Sequence, residues 1–145
     1  MIEAGSLAPE FSLARIDGSV GTLQELRAGG SVLPVFYKVG CPTCKPTLPY
    51  LDRVKIRTIG ISQDNAAATA KFAQQFGVAI HSLLDLEQDG YRVSSAYGIH
   101  HVPTLLVVNE SGRILERIEG FDKDALDRLG VEFGSGENVP ELKPG

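Results

Sequence analysis

Two runs of side chains, Val32-Leu-Pro-Val-Phe-Tyr37 and Ile56-Arg-Thr-Ile-Gly-Ile61, constrain this chain more than any other feature. The first is apolar except for the tip of Tyr37, the pattern of a strand buried on both faces of a sheet. Eighteen residues separate Tyr37 from Ile56, more than the roughly twelve that a parallel crossover requires. A parallel strand pair bridged by a helix from Pro42 to about Val54 follows. Pro34 lacks the N–H that a central strand uses, so pairing is expected to begin at Val35.

Elements on either side extend this unit. Phe11 to Ile16 reads as a strand, Asp17-Gly18 as a turn and Val20 as the return. Thr22-Leu-Gln-Glu25 has the form of a capping box, and Gly29-Gly30 ends the short helix that it opens. Downstream, Asn65 to Phe76 carries Phe72 and Phe76 on one helical face and stops at Gly77. Ala79 to Leu84 is a short strand, and Gly90 to Tyr97 a short helix halted by Gly98. Thr104 to Val108 and Arg113 to Ile118 form a hairpin around Asn109-Glu-Ser-Gly112. Asp122 caps a last helix from Lys123 to Leu129. The order predicts an α/β sandwich with a mixed sheet. One domain spans residues 1–133, and the Gly/Pro/Glu-rich residues 134–145 form a loosely attached tail.

Composition narrows the function classes. Fourteen basic and eighteen acidic residues give a net charge of −4, the wrong sign for a sequence-independent nucleic-acid binder. The longest apolar runs hold five or six residues, far short of the roughly 20 in a membrane span. Met1-Ile2-Glu3-Ala4-Gly5 shows no basic start, apolar core or cleavage site, so the expected setting is cytoplasmic, or extracytoplasmic if a signal or anchor had been trimmed away. A 145-residue chain buries about two thirds of its unfolded surface, so it needs no staple to fold.

The chemistry lies in Cys41-Pro42-Thr43-Cys44, which follows the buried strand and opens the next helix. Unpaired N–H groups and the macrodipole at a helix start favour an anion. Pro42 suits the first helical position. A thiolate at Cys41 is therefore stabilised, its pKa lowered, and Lys38, Lys45 and Thr43 lie close in sequence. Cys44, one turn in and covered, is placed to attack a mixed disulfide formed by Cys41. Three duller readings compete. A structural disulfide closing so small a ring contributes only about 2 kcal/mol. A zinc site could recruit His100 and His101, but adjacent histidines lack the spacing that lets two imidazoles share one metal. Two inert buried cysteines are the third.

Ala8-Pro9-Glu10-Phe11-Ser12-Leu13, Asp17-Gly18, Val35-Phe36-Tyr37, Cys41-Pro-Thr-Cys44, Pro49, Tyr97-Gly98-Ile99, Val102-Pro103-Thr104 and Gly112-Arg113 fall in the order found in the thioredoxin superfamily. The chain resembles its TlpA-like disulfide reductases, which share a domain signature with the alkyl hydroperoxide reductase and thiol-specific antioxidant (AhpC/TSA) proteins. The resemblance runs from Gly5 to Leu129. It implies a thioredoxin-like three-layer sandwich with an N-terminal β-hairpin extension. It also implies a thiol–disulfide oxidoreductase, on balance a reductase, with Cys41 as nucleophile and Cys44 as resolving thiol. Pro103 would be a cis-proline packed on the cysteines, Val102 would offer its backbone to a substrate strand, and Gly40, Pro42, His101 and Gly120 would line a shallow apolar groove. Pro49 resembles the proline that kinks the active-site helix. No cofactor or metal is implied. The expected partners are protein or small-molecule disulfides and a dithiol electron donor.

Departures from the resemblance bear on mechanism. Val35 stands where thioredoxins carry a buried acid, and Thr47 where several TlpA-like reductases carry a glutamate. The usual proton acceptor for the resolving thiol is thus missing twice, leaving water, Lys38, His100 or His101 as candidates. Only ten residues separate Cys44 from Lys55, so the active-site helix is short, and Pro46 removes an N–H within it. A peroxiredoxin is the second reading: Pro34 and Cys41 fit its P-x-x-x-T-x-x-C pattern, but Lys38 occupies the threonine place. A third reading is a redox-inactive module that binds partners or carries metal.

Overall fold

A computed structural model describes residues 3–51 and 56–120, together with residues 122, 124, 125 and 128. In chain order the elements are β1 (Ser12–Arg15), β2 (Val20–Thr22), α1 (Leu23–Arg27), β3 (Val32–Tyr37), α2 (Cys44–Tyr50) and β4 (Arg57–Ser62), followed by α3 (Ala66–Phe76), β5 (Ser82–Leu84), α4 (Arg92–Ala96), β6 (Thr104–Val108) and β7 (Ile114–Glu119). The strands form one mixed sheet in the order β2-β1-β5-β4-β3-β6-β7. β4 pairs parallel with β3 and β5, while β6 and β7 pair antiparallel. The N-terminal hairpin joins the sheet through β1 against β5.

β3 runs through the middle and alternates between two cores. Leu33, Val35 and Tyr37 meet Cys44, Leu48 and Leu51 around α2, and Phe72 of α3. Val32 and Phe36 meet Leu23 and Leu26 of α1, and Val93 and Tyr97 around α4. Every residue of β3 is buried, as an apolar run with helices on both faces demands. The layers are therefore helix, sheet, helix.

Pro34 does not delay the strand. Pairing with β4 begins at Val32 opposite Arg57 and includes Pro34 opposite Ile59. Towards β6, however, the register matches Val32 with Val108 and Val35 with Leu105 and passes over Leu33 and Pro34. The missing N–H falls in a gap on that one side, which is how a proline fits a central strand.

Gly60 on β4 allows a close approach. A Cβ there would collide with Ser82 Oγ and lie 2.8 Å from a Tyr37 ring carbon, and Tyr37 and Ser82 share a hydroxyl hydrogen bond of 2.6 Å. The Thr22 hydroxyl accepts from the Glu25 N–H at 3.2 Å, as the sequence predicts, but the Glu25 carboxylate accepts from that hydroxyl at 3.1 Å rather than from a backbone N–H; Gly77 ends α3 in the left-handed region, as predicted. Ala79 and Ile80 stay outside β5, which starts at Ser82. Asp122 accepts from the Ala125 N–H at 3.0 Å, and the remaining parts of that last helix lie outside the described residues. So does the expected tail, residues 134–145. No helix among the described residues is long and apolar enough to cross a membrane.

Candidate active site

The Cys41-Cys44 segment is a tight turn that hands β3 over to α2. The helix starts at Cys44, with Thr43 as its N-cap and no side-chain cap bond, two residues later than the expected start at Pro42. Cys44 is thus the first helical residue rather than one turn in, and its N–H is one of those with no partner inside the helix. That N–H points at Cys41 Sγ, 3.3 Å away. A backbone donor so placed stabilises negative charge developing on the sulfur. The helix continues to Tyr50 with Pro49 inside it.

Both cysteines are free thiols, Cys41 half-buried and Cys44 buried. Burial pushes the Cys44 thiol well above the ordinary thiol range, and a side-chain hydrogen bond to Cys41 adds to the shift. A hydrogen bond from the Lys38 backbone opposes it, while the charges of Cys41 and Asp64 reinforce it. The two sulfurs therefore differ in access, and burial holds the proton on Cys44, as a resolving thiol that waits for its partner requires.

The loop before β6 closes over Cys41. The Val102–Pro103 bond is cis, as the resemblance implies, and the Cys41 thiol donates to the Val102 carbonyl at 3.4 Å. Val102 packs against the core cluster that holds Cys44. Gly120 donates its N–H to the Pro103 carbonyl at 2.7 Å, which ties the end of β7 to this loop. Gly40, Pro42 and His101 are exposed. The cavity beside the motif is lined by His101 and Val102 with Lys38, Gln63, Tyr91 and His100, and Gly40, Pro42 and Gly120 do not line it. This wall mixes polar side chains with Lys38 and the apolar Ile99 and Val102, and of the residues expected around the groove it holds His101 and Val102.

Val35 is buried and apolar, and the Thr47 hydroxyl donates to the Thr43 carbonyl at 2.6 Å, so neither carries a proton for Cys44. Lys45, expected to lend charge to Cys41, instead sets its Nζ 5.8 Å above the Phe76 ring on α3. Sequence reasoning missed Asp64. Its carboxylate accepts from the Val39 N–H at 2.8 Å and faces Cys44 closely enough to disfavour a second negative charge there. The available signal was positional: Asp64 follows the carboxyl end of a strand parallel to β3, where α/β sheets place their sites. Among the described residues, no three metal-capable side chains gather.

Comparison with known proteins agrees with this geometry. The model of the Redoxin family matches residues 3–131. The chain belongs to the Redoxin family. A relative, the thiol-disulfide oxidoreductase ResA of Geobacillus thermodenitrificans, is 27% identical over 128 residues, covering 82% of this chain and 71% of that protein. The thioredoxin domain of a thiol-disulfide oxidoreductase from Bacteroides vulgatus superposes with a TM-score of 0.78 at 22% identity, covering 92% of this chain and all of that one. The peroxidoxin BcpB of Mycobacterium tuberculosis gives 0.76 at 22% identity, covering 92% and 97%. The fold is thioredoxin-like, and both thiol exchange and peroxide chemistry occur in names attached to it.

Proposed function

We propose that this redoxin is a thiol–disulfide oxidoreductase that reduces disulfides through Cys41 and Cys44. The observation that carries the reading is the inequality of the two sulfurs: one reachable and facing a helix N–H, its mate buried and held protonated. Cys41, as thiolate, attacks one sulfur of a substrate disulfide. That S–S bond breaks, one thiolate leaves and takes a proton from solvent, and a mixed disulfide joins Cys41 to the substrate. Cys44 then loses its proton to water and attacks Cys41 Sγ, expelling the second thiolate. Two electrons have passed to the substrate, and a Cys41–Cys44 disulfide remains for an external dithiol to reduce.

The backbone around Val102 supports a role in holding the substrate chain, since its carbonyl already faces the attacking sulfur. A peroxidase reading is weaker. Pro34 and Cys41 keep the peroxiredoxin interval, but Pro34 lies inside β3 ahead of Phe36 and Tyr37, and Lys38 stands in the threonine place.

The test is reduction of a model disulfide by the wild type and two variants. Cys41→Ser should abolish it, and Cys44→Ser should accumulate a mixed disulfide visible by mass spectrometry. Unchanged turnover in the Cys41 variant would remove the proposal, and rapid oxidation by peroxide with no disulfide turnover would replace it with a peroxidase.

A further inference from the structure

A cavity of about 230 Å³ opens beside Cys41, lined by Lys38, Gln63, Tyr91, His100, His101 and Val102 among others, with no acidic side chain in its wall. In a chain of net charge −4, a cleft bearing an ammonium and two imidazoles without a carboxylate is a marked segregation of charge. Its neighbour across Gln63 and Tyr91 has the opposite character, with Asp64 and Glu87 in its wall. The cavity meets Cys41 through two of its wall residues, one at the sulfur and one at the backbone. Val102, in its wall, accepts from the Cys41 thiol, and Lys38, also in its wall, accepts from the Cys41 N–H through its carbonyl at 3.2 Å.

The wall is built rather than incidental. Gln63 Nε2 donates to Ser94 Oγ at 3.0 Å, and Ser94 Oγ donates to Asp85 at 2.6 Å. Asp85 is fully buried, and its oxygens also accept the Val93 and Ser94 N–H groups. That carboxylate is therefore occupied below the wall. Tyr91 holds a left-handed backbone at φ 48°, fixed by its N–H to Leu86 and by its carbonyl to Ser95. A non-glycine residue in that region is over-determined by its surroundings, as at ligand-holding sites.

We propose that this cavity is a subsite for an acidic group on the disulfide substrate, so that the protein prefers disulfides carrying a carboxylate near the reacting sulfurs. The inference rests on the disulfide-reductase reading above. Lys38 supplies positive charge to the carboxylate, it and the two histidines supply N–H donors, and Cys41 attacks the sulfur presented beside it. The redox step is otherwise the exchange already written, with the substrate's disulfide reduced to two thiols.

The experiment follows the oxidation of pre-reduced protein by dithiodipropionate, a dianion, and by its neutral diamide. Each rate constant is divided by that for the same disulfide with dithiothreitol, which removes intrinsic reactivity. The corrected preference for the dianion should be about tenfold in the wild type, or about 1.4 kcal/mol, and shrink with added salt. In a variant combining Lys38→Gln, His100→Asn and His101→Asn it should fall to about one. Any change in Cys41 itself cancels in the ratio, and a cooperative thermal unfolding transition like that of the wild type reports that the variant is folded. Failure of both disulfides to oxidise the wild type would overturn the reductase reading. Reaction with both and no preference for the dianion, or a preference that survives in the variant, would overturn the subsite alone.

Discussion

Cys41 and Cys44 sit at the two ends of one turn and meet the same apolar cluster, yet one reaches solvent and the other does not. Cys41 lies on the rim, among exposed backbone and beside a polar cavity. Cys44 belongs to the core, in contact with side chains of β3, β6 and α2. A difference of three residues in sequence becomes a difference of solvent, because the helix begins at the second cysteine and turns its first side chain inward. Reactivity is therefore divided by burial more than by residue type. The rim thiol is available to begin an exchange, and the core thiol is held back until its partner has been captured.

Three changes probe that division. The largest effect is expected at Val35, which shares the apolar cluster around Cys44. Val35→Asp would bury a carboxylate without a designed partner and should lower unfolding stability by about 3 kcal/mol or more in denaturant titrations. A near-native stability would mean that the core beside Cys44 already admits water.

Next comes the alkaline behaviour of the reduced protein. The ordinary value for a cysteine is near 9, and burial raises it at Cys44 in the folded state. Below pH 9 both folded and unfolded chains keep the proton, so stability is unaffected. As the pH rises above 9 the unfolded chain loses the proton first, and stability should fall by up to about 1.4 kcal/mol per pH unit. Above pH 10 the buried Tyr37 and Tyr97, whose values are likewise raised by burial, add to the decline. Thermal unfolding of Cys44→Ala between pH 9 and 10 should lack the first part of this slope, and an identical slope would assign it elsewhere.

The smallest effect is expected at Asp64. Asp64→Asn keeps an oxygen for the Val39 N–H while removing the charge that faces Cys44. The Cys44 thiol should then titrate at a lower pH, as read from ultraviolet thiolate absorbance. A midpoint that does not move would remove Asp64 from the environment of the core thiol.

Much of this was legible in the residue order. The buried run Val32–Tyr37, the crossover to Ile56, the Thr22 cap, the Gly77 stop and the closing hairpin all appear where pattern and spacing place them. These are local signals, set by side-chain period, capping groups and backbone freedom within a few residues. Pro34 misled because whether a missing N–H matters depends on which neighbouring strand that edge of β3 faces. The start of α2 was misplaced by two residues because Pro42 is compatible with both a helix start and a turn. The cavity beside Cys41 was out of reach in another way: Lys38, Gln63, Tyr91 and His101 come from four connections that meet only when β3, β4 and β6 align.

The chain by itself determined the order of its elements, the identity of its two thiols and the turn that joins them, since each depends on neighbours along the backbone. Which thiol faces water, which carboxylate faces the other, and which basic side chains gather beside the pair were decided by packing. Burial and Coulomb interaction act through space, and the residues that exert them here are brought near only by the sheet.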